Sequence, residues 1–161
     1  MLGAQWGKIG NSASGSEVSL FLEGAALTVV DLLERKGHGA LTVHTEDEFD
    51  PIKRVGLMSL KVLAKKAGLG WQGRSLLIVS PQYGPVHRWV CVLTDMNLKG
   101  GMPILNQCGD CEQCVEECPT GALRSVHFND HPACREDVLD INLCRGDFGC
   151  TMCLTACPWG Q

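Results

Sequence analysis

Nine of the ten cysteines in this 161-residue chain fall between Cys108 and Cys157, and their spacing carries the chemistry. The first run reads Cys108-x2-Cys111-x2-Cys114-x3-Cys118-Pro119. In that arrangement the first three thiolates wrap one [4Fe–4S] cube and the fourth reaches a second cluster. Three-residue spacing lets successive thiolates converge on one cube, while the N–H groups between them can point at sulfur and favour the reduced, more negative state. Pro119 removes a donor and turns the chain away.

The second run, Cys150-x2-Cys153-x3-Cys157-Pro158, repeats the end of the first but has Asp147 where an opening cysteine would stand. A remote cysteine must complete it. Cys144 and Cys134 are the candidates, and Cys144 is favoured because only a short loop separates it from Cys150. Crossed ligation then assigns Cys108, Cys111, Cys114 and Cys157 to one cluster, and Cys118, Cys144, Cys150 and Cys153 to the other. Cys134 stays open as the substitute for Cys144. Paired four-cysteine zinc sites are the competing chemistry, but those use two Cys-x2-Cys knuckles per ion, not three cysteines in a row followed by Cys-Pro. Cys91 lies in an apolar run and reads as a small core residue. His38, His44, His87, His127 and His131 show no paired ligand spacing and read as structural or surface residues.

Composition agrees with a metal role for the thiols. The formal charge is -4 and basic residues are scattered, at most as pairs such as Lys65-Lys66, so neither a nucleic acid nor a membrane surface is expected as partner. Met1 to Gly15 lacks the apolar core of a secretory signal. Val18 to Leu33 is broken by Glu23 and Asp31, and falls short of the roughly 20 apolar residues of a membrane span. It reads as a buried helix of a cytoplasmic protein, a compartment in which clustered thiols bind metal more often than they form disulfides.

The elements that must position the cysteines follow from pattern. Apolar residues recur at helical spacing after Ser16, a candidate N-cap, and the helix ends at Gly37. Ala40 to His44 alternates as a short strand, Thr45 to Asp50 forms an acidic loop, and Pro51 sits where a first helical turn tolerates it. Leu57 to Lys66 is a second helix, broken by Gly68, Gly70 and Gly73 around Trp71. Leu76 to Val79 and Trp89 to Leu93 are strand candidates expected to pair as a hairpin. Gly100, Gly101 and Pro103 mark a boundary near residue 100, giving an α/β domain over 1–100 and a cysteine-rich domain over 101–161. Apolar patterning is weak in the second, so the clusters are expected to act as its core, and it should not fold without iron.

The stretch Ala67-Gly68-Leu69-Gly70-Trp71-Gln72-Gly73-Arg74, with Leu76 to Gly84 and Val92-Leu93-Thr94-Asp95, resembles epoxyqueuosine reductases and, more distantly, reductive dehalogenases. Leu139-Asp140, Cys144 and Gly149 through Trp159 are similar to the family's cluster module in order and spacing, a second reason to choose Cys144. The resemblance covers roughly 57–159. It implies an α+β fold in which a truncated nitroreductase-like α/β layer precedes a bacterial ferredoxin-like double-cubane module. It further implies two [4Fe–4S] clusters that feed single electrons to a corrinoid (cobalamin) held near Gly70, Trp71, Gly73, Ser80, Pro81, Tyr83 and Gly84, with flavin as the lesser alternative. Arg74 stands where the family usually has lysine, and no counterpart occurs of the Arg-Asp-Tyr-His motif that carries the family's proton donor.

These readings converge on an iron–sulfur electron-transfer protein that passes single electrons to a redox partner, a corrinoid protein or a bound cofactor. The alternatives are a corrinoid-dependent reductase of the epoxyqueuosine type, and an oxygen-labile scaffold or sensor.

Overall fold

In the computed structural model, residues 2–5, 15–43, 49–146 and 149–160 are described, and they form a mixed α and β architecture. His44, Glu46, Asp47, Glu48 and Asp147 lie outside the described residues, as does the side chain of Ser16. The chain divides into two units that interleave in sequence. One is Met1–Ala67 with His87–Gly101, the other Gly68–Val86 with Met102–Gln161. A single boundary near residue 100 therefore does not describe the division, because residues 68–86 pack with the cysteine segment.

The first unit is built on a three-stranded antiparallel sheet in the order β1 (Leu2–Gln5), β5 (His87–Thr94), β2 (Ala40–Val43). The eight residues of β5 form its centre, pairing Val90 with Leu2 on one side and Cys91 with Val43 on the other. Helix α1 (Gly15–Arg35) packs Val18, Leu22 and Ala26 against Val90 and Val92. These positions recur every four residues and so share one stripe of the helix. Only that stripe is buried. Leu20, Phe21, Leu27 and Leu32 are exposed, as on an amphipathic helix, since a single sheet face can cover only one side. Helix α2 (Leu60–Lys66) is capped by Ser59, whose hydroxyl accepts from the Val62 N–H at 3.4 Å. It sets Leu60 and Leu63 against Val43, Cys91 and Trp89, so Cys91 is a core residue whose thiol pKa is raised by burial.

Two local expectations are corrected. Pro51 begins a turn, not a helix, because the Asp50 carboxylate accepts from the N–H groups of Ile52 (2.8 Å) and Lys53 (2.9 Å) and closes the chain on itself. The expected pairing of 76–79 with 89–93 does not form. β4 (Ile78–Val79) instead pairs antiparallel with β3 (Trp71–Gln72) in the second unit, Trp71 opposite Val79 and Gln72 opposite Ile78. The turn is closed by Gly73 N–H to Leu77 O (2.8 Å) and Leu76 N–H to Gly73 O (2.9 Å). Residues 89–93 are claimed by the longer β5 ladders.

The rest of the second unit consists of short helices, α3 (Gln113–Glu116), α4 (Arg135–Val138) and α5 (Met152–Thr155), and a 3-10 turn at Pro158–Gly160. α3 and α5 pack together. Ala122, Leu123 and Val138 are buried around a bridge between Leu123 and Leu139, so the cysteine segment has a small apolar centre of its own beside the thiols. No helix among the described residues is long and apolar enough to cross a membrane.

Candidate metal centre

Cys114 sits on α3 and Cys153 on α5, so the packing of two single-turn helices brings the middle of each cysteine run together. Their thiols report who surrounds them. Burial pushes Cys114 up to about 12, helped by Cys108, Cys153, Cys111 and Cys157. Burial pushes Cys153 up to about 11, helped by Cys144, Cys150 and Cys118. Cys157 is also raised, by burial first and by Cys108 and Cys111, against an opposing hydrogen bond from the Trp159 backbone. Cys114 thus has Cys108, Cys111 and Cys157 as neighbours together with Cys153, while Cys153 has Cys144, Cys150 and Cys118. Cys134 is exposed at the start of α4, and none of these thiols counts it among the neighbours that shift it.

Backbone donors already surround several sulfurs. At Cys118 burial raises the thiol, but hydrogen bonds from the backbone of Leu123, Thr120 and Ala122 and from the Thr120 hydroxyl prevail and hold it below the usual thiol value. The Gly146 N–H donates to Cys144 Sγ at 3.4 Å, and its carbonyl accepts from Cys150 at 2.9 Å. Gly146 does this at φ +70°, a left-handed conformation open to glycine at little cost, and so ties Cys144 to Cys150. Among the described residues no three His, Cys, Asp or Glu side chains converge on a single-ion site.

The β3–β4 hairpin abuts the first group. A Cβ on Gly73 would lie 2.8 Å from Val79 Cγ2 and 3.6 Å from Cys108 Sγ, and one on Gly70 would strike the Val79 carbonyl. Both glycines therefore serve close approach, of strand to strand and of strand to sulfur. Trp71 is 1% exposed, its ring edge-on to Trp159 just beyond Cys157. Asn106 joins hairpin to cysteine loop: its Nδ2 donates to Gln72 O (3.1 Å) and Phe128 O (3.3 Å), and its Oδ1 accepts from Cys108 N–H (2.8 Å). Ser80 is buried, and its hydroxyl accepts from Gln82 N–H. Reciprocal bonds between Ser80 and Gly84 close the following turn, with Pro81 exposed and Tyr83 half-buried.

A second polar cluster lies beside Cys108 and Cys111. Arg74, 5% exposed, donates to the carbonyls of Gly109 and Val126 and to His127 Nδ1 (2.6 Å), and stands 3.7 Å from Glu112. Arginine only donates, so His127 accepts at Nδ1 and presents Nε2–H to Glu112 Oε1 at 3.2 Å. The Ser125 hydroxyl, then Arg74 and His127 against the effect of burial, hold the Glu112 carboxyl below its usual range. Nothing in the spacing of residues 74, 112, 125 and 127 announces this network. Arg74 after the glycine-rich turn, standing where the resembled family usually has lysine, was its one visible sign.

The model of the 4Fe-4S binding domain matches residues 104–124. Epoxyqueuosine reductase of Listeria monocytogenes is 31% identical over 119 residues, and that of Synechocystis is 32% identical over 121; each match covers 66% of this chain. The chain is an epoxyqueuosine reductase-like iron–sulfur protein. The epoxyqueuosine reductase-like chain spans 31% and 41% of those two relatives. In fold it matches selenomethionine-labelled epoxyqueuosine reductase (TM-score 0.68, 22% identity, 89% of this chain and 39% of that one). It also matches epoxyqueuosine reductase with an epoxyqueuosine-modified tRNA-Tyr stem loop (TM-score 0.67, 23% identity, 88% and 38%). That neighbour's structure includes a tRNA stem loop.

Proposed function

We propose that this chain is the electron-delivering part of a cytoplasmic, corrinoid-dependent oxidoreductase of the epoxyqueuosine reductase type. The observation that carries the reading is the packing of α3 on α5, which brings together Cys114 and Cys153, the middle cysteines of the two runs, in a chain similar to those reductases. The residues suit two [4Fe–4S] clusters: thiols half-buried, backbone donors aimed at Cys118 and Cys144, and a hairpin whose Gly73 leaves room beside Cys108. The Trp71 Nε1–H and Arg74 Nε–H, buried and without a hydrogen-bond partner among the described residues, lie on that same hairpin and suit sulfur acceptors.

When bound, the clusters and a corrinoid supply one-electron chemistry; cluster potentials span about −700 to +450 mV. The chain's residues do the rest. Cys108, Cys111, Cys114 and Cys157 hold one cluster, and Cys118, Cys144, Cys150 and Cys153 the other. Gly70, Trp71, Gly73, Ser80 and Gly84 shape a wall whose rim residues, Pro81 and Tyr83, would face the corrinoid. Reducing an epoxide to an alkene takes two electrons and two protons and releases water, so a low-potential one-electron carrier must serve the clusters twice per turnover. The substrate class is a modified nucleoside in RNA, in place of the absence of nucleic acid that charge alone suggests. The truncated nitroreductase-like layer belongs to this reading.

Anaerobic purification with iron, sulfide, cobalt and flavin quantified together tests it. Brown protein with two clusters that retains added cobalamin through gel filtration supports the proposal. Clusters without corrinoid would reduce it to a plain electron carrier, and a colourless zinc protein would overturn it.

A further inference from the structure

Arg74 is the one charged side chain among the buried residues described, and it reaches into the loop between two cysteines of one group. One Nη donates to the Gly109 carbonyl, between Cys108 and Cys111; the other donates to the Val126 carbonyl at 3.4 Å. Gly73, its chain neighbour, lies against Cys108 Sγ. The guanidinium stays protonated at any working pH, and at 5% exposure water screens it little. Glu112 at 3.7 Å offsets part of that charge, but its side chain is 27% exposed and shares its acceptors with Ser125 and His127.

We propose that Arg74 is a positioning residue that fixes the Cys108–Cys111 loop and keeps a buried positive charge beside the cluster held by Cys108, Cys111, Cys114 and Cys157. Adding an electron makes a cluster more negative, so a nearby buried cation favours the reduced form. The first cluster is then easier to reduce than it would be with its thiolates alone, and Glu112 works in the opposite sense. The Nε–H is buried and has no hydrogen-bond partner among the described residues. This inference rests on the two-cluster reading of the previous subsection.

The test is an anaerobic potentiometric titration of the cluster-loaded protein, followed by electron paramagnetic resonance, for wild type, R74M, R74K and E112Q. One of the two reduction steps should fall in R74M by at least a tenfold change in its equilibrium constant, about 59 mV for one electron. R74K, which keeps the charge, should stay closer to wild type than R74M does, and E112Q should move the same step upward. A merely structural arginine would not produce shifts of opposite sign in R74M and E112Q. If R74M fails to retain clusters, E112Q decides: an upward shift supports the assignment, and no shift or a downward one overturns it. R74M that titrates as wild type also overturns it. Wild-type protein without two cluster signals would instead overturn the two-cluster reading itself.

Discussion

The indole of Trp71 meets that of Trp159 edge to face, with 4.9 Å between ring centroids and 78° between planes. The pair links the β3–β4 hairpin to the chain just past Cys157, and Trp71 is the largest fully buried side chain among the described residues. The two rings are not equal. Trp71 is 1% exposed and Trp159 is 37% exposed, so W71A should cost about 3–5 kcal/mol. W159A should cost less, the edge contact itself being worth about 0.5–1.5 kcal/mol beyond area. Denaturation of the cluster-loaded protein, followed by visible absorbance under argon, checks the order; equal losses would contradict it.

Alanine at Gly70 should do more harm than alanine at Gly73. At Gly70 the added methyl meets the Val79 carbonyl, a backbone group held in the β3–β4 ladder, whereas at Gly73 it meets Val79 Cγ2 at 2.8 Å, the end of a side chain that can turn. Overpacking of this kind costs about 1–3 kcal/mol. G70A should sit at the high end and lower the thermal midpoint of the cluster signal further than G73A.

Substituting the two candidate completing cysteines separates them. C144S should lose half of the bound iron and sulfide, because Cys144 acts on Cys153 and is tied to Cys150 through Gly146. C134S, at an exposed position before α4, should keep the full complement. Iron and sulfide per chain after anaerobic reconstitution read the difference directly.

Cluster assembly should release protons and improve with rising pH. Burial raises Cys114 to about 12 and Cys153 to about 11, above the ordinary thiol value. A thiol raised in the folded state is protonated there, and the stability this lends the metal-free fold holds below the unfolded thiol value of about 8.5. It is lost as pH climbs toward the folded values. Thiolates are the ligands, so metal must displace those protons. Reconstitution yield measured between pH 7 and 9 should increase; a flat profile would show that the buried thiols do not limit assembly.

The cluster residues were legible because their information is local. Spacing of three and four along the sequence marks residues 104–124 as a 4Fe-4S binding segment, and local pattern likewise marks the stripe of α1 and Gly37 after it. Pairings between distant segments were not legible. Leu2–Gln5 contains Gly3 and Ala4 and shows no alternation, yet it forms β1 because β5 offers it a free edge. Ile78 and Val79 were visible as a strand, but propensity names a strand and not its partner. Arg74, Glu112 and His127 meet across separations as large as 53 residues, which no local pattern encodes.

The interleaving of the two units has a practical meaning for anyone dividing this gene. The chain leaves the sheet-bearing unit after Ala67, returns at His87, and leaves again after Gly101. A clone beginning at residue 102 would carry the eight candidate ligand cysteines but neither Gly73, which borders Cys108, nor Gln72, whose carbonyl anchors Asn106. A clone ending at residue 101 would keep the hairpin with nothing to lean on. The sulfur-rich portion is therefore not a detachable cassette, and its evolutionary transfer to another protein would have had to bring the 68–86 insertion along.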